Sequence, residues 1–509
     1  MNNINFGDKK IGILGFGIEN QALAKWLIKH GANLITICDK NPNIKSQISR
    51  LEPHTASRVN KIQISNLKFQ TGNNYLKNLT DFDIVFRTPG ISPLTKELVD
   101  AKKNGVKISS QIKLFMDLCP AKTIGITGTK GKGTTSTLIY EIIKNNIPGK
   151  LQKDVRFLHG AQASGKRLRP TFFNLPRNIY LGGNIGNAPI EFLDKLTKKD
   201  LVVLELSSFQ LQDIDKSPNI AVVLDVKEDH LDYHKNRREY IRAKENIVKF
   251  QKANDYTVVN LDYLTSFEFA AVSASDNNYY FSRRKSVDLG TYVEWMPKDR
   301  NAHFGKLILR TPKRDYEIVK TYDITLRGEH NLENICAAIT ASYLAGANIE
   351  SIKKVVPKFP GLEHRLEYAG EINGVKFYND SFSTNPDTAI AAIKSFSEPI
   401  ILIAGGSEKN ANYSKLGKEI AKSSVKTLIS IGDTGPKIIK AISYKPYAVS
   451  KKIKIIEKLK NMKDIVKAAR NEANSGDVVL LSPASASFGL FKNYKDRGNQ
   501  FKKEVKCIM

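Results

Sequence analysis

The run TGTKGKGTT (Thr127–Thr135) has the composition of a phosphate cradle. Glycines let backbone N–H groups close around phosphate oxygens, a following helix N-terminus adds partial positive charge, and a lysine reaches the terminal phosphates. Gly128, Thr129, Lys130, Gly131, Lys132, Gly133, Thr134 and Thr135 are therefore candidate nucleotide-binding positions, with Lys132 as the phosphate-contacting cation. The run departs from the strict Walker pattern twice: Ile126 stands where its first glycine belongs, and Gly133 follows the lysine in place of Ser or Thr. Thr134 or Thr135 would have to supply the hydroxyl for Mg²⁺. A glycine turn without a ligand is the competing reading, and the strand before the run and the helix after it weigh against that.

Glu205 in LELSS and the pair Asp229-His230 in EDHLD close neighbouring predicted strands. A carboxylate and an imidazole beside a phosphate loop suit metal ligation or phosphate contact, although a lone histidine is often structural and His230 stays open between the two. Lys244, on a predicted helix Arg238–Phe250, reads from the sequence alone as a solvated surface lysine. GFGIEN (Gly15–Asn20) half-matches a dinucleotide fingerprint, with Asn20 at the third glycine position and Asp39 where a ribose-binding acid belongs. It favours a nucleotide-like ligand over a structural turn and does not establish NAD.

These residues need elements to hold them, and the apolar pattern supplies an α/β chain. IGILGFG (Ile11–Gly17), Asn33–Asp39 and Asp81–Ser92 contain strands of a first, Rossmann-like domain, with a helix over Asn20–His30 that puts Leu23, Trp26 and Leu27 on one face. Lys122–Thr127, Asp200–Ser208 and Asn219–His230 are buried strands of a P-loop domain. Its loop is expected to span Gly128–Ser136, with the helix starting at Thr137 and a long apolar helix over Asn331–Ala345. Val375–Ser381, Pro399–Ser407, Thr427–Asp433 and Asp477–Ser485 repeat the theme in a third, again Rossmann-like, unit. The expected partition is 1–117, 118–359 and 360–509, with a linker at Phe359-Pro360-Gly361.

The 509 residues include 79 Lys+Arg against 51 Asp+Glu, a net charge of +28. Lysines spread along nearly every helix, without an arginine-rich tail or a nucleic-acid recognition signature, so the excess is read as compositional habit plus phosphate chemistry and no nucleic-acid partner is expected. There is no long uninterrupted apolar run and no signal-peptide pattern, which implies a cytoplasmic chain without integral membrane association. Cys38, Cys119, Cys336 and Cys507 are too scattered for a zinc cluster and read as reduced, mostly buried thiols. Pro148–Asn178 fits no regular element; its excess of basic residues suits a solvated insertion or contact with an anionic partner or membrane.

Taken in order, TGTKGKGTT, LGGNIGNAP (Leu181–Pro189), LELSSFQL (Leu204–Leu211), EDHLDYH (Glu228–His234), GEHNLEN (Gly328–Asn334), HRLE (His364–Glu367), NDSFSTNP (Asn379–Pro386) and SPASASFGLFKNYKDRGNQF (Ser482–Phe501) resemble the Mur ligases, and among them the D-glutamate-adding members. The resemblance implies an ATP-dependent ligase of peptidoglycan precursor synthesis acting on UDP-N-acetylmuramoyl-L-alanine and D-glutamate through an acyl phosphate. It also implies a pair of Mg²⁺ ions and a monomeric state. It implies metal binding by Thr134, Glu205, His230 and a carbamylated Lys244, which reverses the bare reading of that lysine. Lys132, His230 and Lys244 become the implied catalytic set. Asn184 would position the UDP-sugar, and Asn334, Arg365 and Asp380 would hold the adenine nucleotide. Ile18, Glu19, Asp39, Lys40 and Gly90 would hold the uridine diphosphate, and Thr384, Lys409, Ser487 and Tyr494 the D-glutamate.

Three departures stand out. Phe382 occupies a position where the D-glutamate-adding members commonly have lysine; Gly133 is more typical of folylpolyglutamate synthases; and the 148–178 insertion has no recognised counterpart. A folate-type or other Mur-type amide ligase is thus the first alternative. An NAD-dependent oxidoreductase would leave the P-loop unused, and a nucleic-acid binder would rest on charge alone.

Overall fold

The structure, a computed structural model, describes residues 5–45, 67–147, 176–185, 187–227, 233–296, 304–408, 411–443 and 453–508. Three α/β sheets carry the chain. The first comprises β1 (Lys10–Leu14), β2 (Leu34–Asp39), β3 (Leu67–Thr71), β4 (Ile84–Arg87) and β5 (Lys107–Ser109), in the order β3-β2-β1-β4-β5. Every pairing in it is parallel. Strand order reverses between β1 and β4, so the turns leaving those two strands flank the crevice where open parallel sheets receive ligands.

The second sheet contains β6 (Lys122–Thr127), β7 (Ile179–Gly183), β8 (Leu201–Glu205), β9 (Ile220–Val223), β10 (Tyr256–Asn260), β11 (Asn277–Ser282), β12 (Gly290–Trp295), β13 (Gly305–Arg310) and β14 (Asp315–Lys320). Their order is β14-β13-β12-β11-β10-β9-β6-β8-β7. The third holds β15 (Glu367–Ile372), β16 (Val375–Asn379), β17 (Ile400–Gly405), β18 (Val425–Ile431), β19 (Lys454–Ile456) and β20 (Val478–Leu481), ordered β15-β16-β20-β17-β18-β19, with only the β15–β16 pair antiparallel. Strands β8, β9, β10, β17 and β20 are buried at every position, and β9 and β20 are wholly apolar, as a strand covered on both faces allows.

The chain forms two compact units: Met1–Glu294 with Leu307–Ile318 and Glu333–Ile352, and Trp295–Lys306 with Val319–Leu332 and Lys353–Met509. Within the first, one hydrophobic core runs from Leu23 and Leu27 through Ile190 and Phe192 to Leu204 and Val223, joining the first two sheets. The helix Ile18–Lys29 buries Ala22, Leu23 and Leu27 and stops ahead of Gly31, which takes the left-handed conformation that ends a helix cleanly. Trp26 is only partly buried, because its indole N–H reaches Asp194 Oδ1 at 2.9 Å. Lys29 adds an ion pair to the same carboxylate and His30 Nε2 lies 3.2 Å from it; against the opposing effect of burial, the Lys29 and Trp26 donors hold its pKa below the usual value.

Two expectations need correction. The helix after the phosphate loop begins at Lys132 and runs to Asn146, five residues earlier than the sequence suggests, because Gly131 caps it and Gly133 and Thr134 enter the first turn despite weak helix propensity. Lys244 lies within the helix Arg237–Lys249 but is 1% exposed, so the bare reading of a surface lysine fails. Among the described residues, no helix is long and apolar enough to cross a membrane.

Cys38, Cys119 and Cys336 are buried, while Cys507 is exposed. Burial pushes the Cys38 thiol up to about 12 and Cys119 to about 11, and the thiolate is the reactive form. Titration of the native chain with a thiol reagent at pH 8 is expected to modify Cys507 rapidly and the other three only after unfolding.

Candidate nucleotide and metal site

The loop Gly128–Gly131 leaves the carboxyl end of β6 and turns directly into the helix Lys132–Asn146. Gly128 has φ +152°, and an added Cβ would lie 2.7 Å from Leu224 Cβ; at Gly131, φ +86°, it would collide with the Asn334 side-chain oxygen. Only glycine fits either place. The loop is pinned to the stretch that follows β9: Thr129 N–H donates to the Asp225 carbonyl at 2.7 Å and Thr129 Oγ1 to the Lys227 carbonyl at 3.0 Å. Lys132 Nζ donates to the Gly128 and Thr129 carbonyls, 3.1 Å each, so the ammonium already lies over the loop. Thr134 and Thr135 are buried in the helix's first turns, and Thr135 Oγ1 has no hydrogen-bond partner among the described residues.

Glu205, buried at the end of β8, accepts a bond from Asn184 Nδ2 at 3.2 Å, and its carbonyl accepts Asn184 N–H at 2.9 Å. The carboxylate and the sugar-positioning amide expected from the sequence are thus neighbours. Lys244 Nζ lies 3.1 Å from the Gly128 carbonyl and 3.3 Å from Thr127 Oγ1, over the ring of Tyr240 at 4.9 Å. As an ammonium it would repel a divalent cation; as a carbamate it would complete a hard, oxygen-rich donor set with Glu205 and a loop hydroxyl. His230 lies outside the described residues, as do Lys409 and most of the 148–178 insertion.

In the first sheet, Asp39 ends β2 and accepts N–H groups from Phe16 at 2.7 Å and Asn41 at 2.8 Å, so its carboxylate braces the GFGIEN turn. Asn20 Nδ2 donates to the Leu14 and Gly15 carbonyls, replacing by side-chain bonds what a third glycine would do by close packing. Glu19 accepts Gln210 Nε2 at 2.8 Å, and burial raises its pKa. Ile18, Lys40 and Gly90 are exposed along the same edge.

At the edge of the third sheet, Asp380 follows β16 and is buried: burial raises its pKa to about 7, although Ser482 Oγ donates to it at 2.7 Å and Leu366 N–H at 3.2 Å. The Arg365 guanidinium lies 4.0 Å above the Phe382 ring, whose plane meets Tyr494 edge-on at 4.9 Å. The aromatic residue that replaces the expected lysine therefore fixes a neighbouring cation. Tyr494's carbonyl accepts Ser381 Oγ at 2.8 Å. Thr384 is half-buried and Ser487 buried.

Several residues near the candidate site are absent from the sequence reading. Tyr240 OH meets Thr129 Oγ1 at 3.1 Å, tying the helix that bears Lys244 to the loop. His234 is held at both ring nitrogens, by Glu239 at 2.6 Å and Ser208 at 2.9 Å. Glu333, beside Asn334, gathers Asn260, Tyr263 and Arg283 within 3.2 Å. Arg497, fully buried on the helix Tyr494–Cys507, donates to the Ser381, Ser485 and Ala486 carbonyls, and desolvation lowers its pKa to about 10. For His234, Glu333 and Arg497 the only sequence signal was the motifs that contain them; Tyr240 lies in none of those motifs.

Residues 126–342 match the Mur ligase middle domain and 364–485 the Mur ligase glutamate ligase domain. The chain is 39% identical to the UDP-N-acetylmuramoylalanine--D-glutamate ligase of Acetivibrio thermocellus over 98% of its own length and 97% of the relative's. To the enzyme of the same name from Symbiobacterium thermophilum it is 37% identical over 98% of each. Solved structures of the same fold include MurF ligase from Thermotoga maritima in complex with ADP, with TM-score 0.54 and 15% identity over 100% of this chain and 97% of that one. The UDP-N-acetylmuramate-alanine ligase of the same organism aligns with TM-score 0.52 and 16% identity over 98% and 100%.

Gly128→Ala is expected to remove nucleotide binding, measured by calorimetry with ADP, because the added carbon meets Leu224. Asp380 gives a pH test. With its carboxyl near 7 in the folded chain and about 4 unfolded, the folded state binds the extra proton between those values, so stability falls as pH rises through that window, by at most about 1.4 kcal/mol per pH unit. Denaturant midpoints from pH 4.5 to 7.5 should show that slope, and Asp380→Asn should flatten it.

Proposed function

The chain belongs to the Mur ligase family, and we propose that it joins D-glutamate to UDP-N-acetylmuramoyl-L-alanine with conversion of ATP to ADP and phosphate. The observation that carries this reading is the match along nearly the whole chain to relatives bearing that name. In this reading the domains are 1–117 for the UDP-substrate, 118–359 for ATP and 360–509 for the amino acid.

A carboxylate is a poor electrophile, so the substrate's terminal carboxylate first attacks the γ-phosphorus and ADP leaves. The amine of D-glutamate then attacks the acyl phosphate carbonyl, and phosphate departs from the tetrahedral intermediate. The protein's part is positioning and charge neutralisation. The glycine cradle, the N-terminus of helix Lys132–Asn146 and the Lys132 ammonium meet the transferring phosphoryl group. Thr134, Glu205, His230 and carbamylated Lys244 would hold Mg²⁺, which supplies further neutralisation of phosphate charge. Asn184 orients the sugar substrate from its bond to Glu205. Asn334, Arg365 and Asp380 hold the adenine nucleotide. Ile18, Glu19, Asp39, Lys40 and Gly90 receive the UDP group, and Thr384, Lys409, Ser487 and Tyr494 the D-glutamate.

A folate-type ligase explains Gly133, but it leaves the five-stranded first sheet and its two crevice turns without a ligand. Phosphate release with UDP-N-acetylmuramoyl-L-alanine and a panel of amino acids tests the reading: release is expected with D-glutamate, and strong release only with a different amine donor would overturn that substrate. Lys132→Ala should lower kcat by at least about 100-fold. A near-normal rate in that variant would remove the loop from the mechanism.

A further inference from the structure

Arg87 ends β4 at the ligand edge of the first sheet, where an arginine in so basic a chain would ordinarily reach into solvent toward an anion. It is 0% exposed instead. A guanidinium carries five N–H donors, and protein groups take them up. Nε donates to Asp213 Oδ1 at 2.8 Å; Nη1 to the Ile91 carbonyl at 2.6 Å and to Tyr233 Oη at 3.1 Å; Nη2 to the Phe209 carbonyl at 3.0 Å, with Gln212 Oε1 at 3.5 Å.

Those partners lie on three separate stretches of chain. Thr88–Ile91 is the turn closed by Ile91 N–H to the Thr88 carbonyl at 3.1 Å, with Gly90 exposed at its tip. Tyr233 OH donates to the same Ile91 carbonyl at 3.1 Å, a second clamp on that turn. Phe209, Gln212 and Asp213 belong to or follow the short helix Ser208–Leu211, just beyond Glu205. From this helix Gln210 also holds Glu19. Both turns of the first-sheet crevice are therefore fastened to one helix, and that helix follows the strand end bearing Glu205.

We propose that Arg87, with Tyr233 as its relay, is a positioning residue that sets the Thr88–Ile91 turn against the Ser208–Asp213 segment and so fixes the UDP-substrate relative to the phosphoryl-transfer edge. This rests on the function proposed above. The planar fork is required, since a lysine offers a point charge that cannot serve all the acceptors. Asp213, which Ser110 and Lys113 also face, is the buried acceptor of the guanidinium Nε.

The test uses full-length Arg87→Lys and the milder Tyr233→Phe, with hydrogen exchange, thermal unfolding and calorimetric titration of UDP-N-acetylmuramoyl-L-alanine and of ADP. Faster exchange confined to 88–92 and 209–213 is expected, with affinity for the UDP-sugar down about tenfold and affinity for ADP within about twofold of the parent. Unchanged exchange in both segments, or parallel losses of UDP-sugar affinity, ADP affinity and thermal stability, would overturn it and leave Arg87 a general structural residue. Should Arg87→Lys fail to fold, Tyr233→Phe decides by the same measurements. If the parent enzyme itself does not bind the UDP-sugar, the substrate reading fails, and exchange in the two segments still decides whether Arg87 and Tyr233 hold the turn.

Discussion

A phosphate group can be gripped by backbone only where the backbone can come close, and in this chain that condition is met by forbidding two side chains. Gly128 and Gly131 are pressed against Leu224 and Asn334, so the loop's curvature is set by what flanks it. Other contacts in the same unit serve this geometry. Asp225 and Lys227 hold Thr129 from the stretch after β9, Tyr240 holds it from the helix that carries Lys244, and Asn334 bears on Gly131 from the helix Glu329–Leu344. The cradle is preorganised, which is what a reaction dominated by charge neutralisation needs.

The three sheets share one economy. Each buries its central strands on both faces and lets polar residues collect where those strands end, in turns rich in Gly, Ser and Asp. That makes apolar runs and their terminating residues visible in a sequence. The strands Lys122–Thr127, Leu201–Glu205 and Ile400–Gly405, together with the phosphate loop and Glu205, were legible for this reason. Polar strands were not: β11 (NNYYFS) and β14 (DYEIVK) lack an unbroken apolar run because their positions are only partly buried, and they were assigned no element.

Side chains whose role depends on tertiary neighbours were the other gap. Lys244 looked like any lysine on a polar helix until its burial beside the loop carbonyls set it apart. Arg87 could be mistaken for an anion ligand, because nothing in the spacing around VFRTPGIS announces that acceptors more than a hundred residues away will absorb its donors. The helix start at Lys132 was misjudged for a local reason: propensity argues against Gly-Thr-Thr in a helix, and the cap at Gly131 outweighs it. Recognition of the ordered motifs brought Lys244 back, since a family pattern encodes contacts that a single sequence does not display.

The Arg365–Phe382 stack changes the kind of affinity the third sheet can offer. A lysine at position 382 would add attraction that reaches through solvent and weakens as salt accumulates. A ring instead removes rotational freedom from an arginine already present, so any anion its guanidinium met would find part of that side chain's entropy already lost. The substitution trades long-range pull for stiffness at contact, and high ionic strength would erode the second far less than the first.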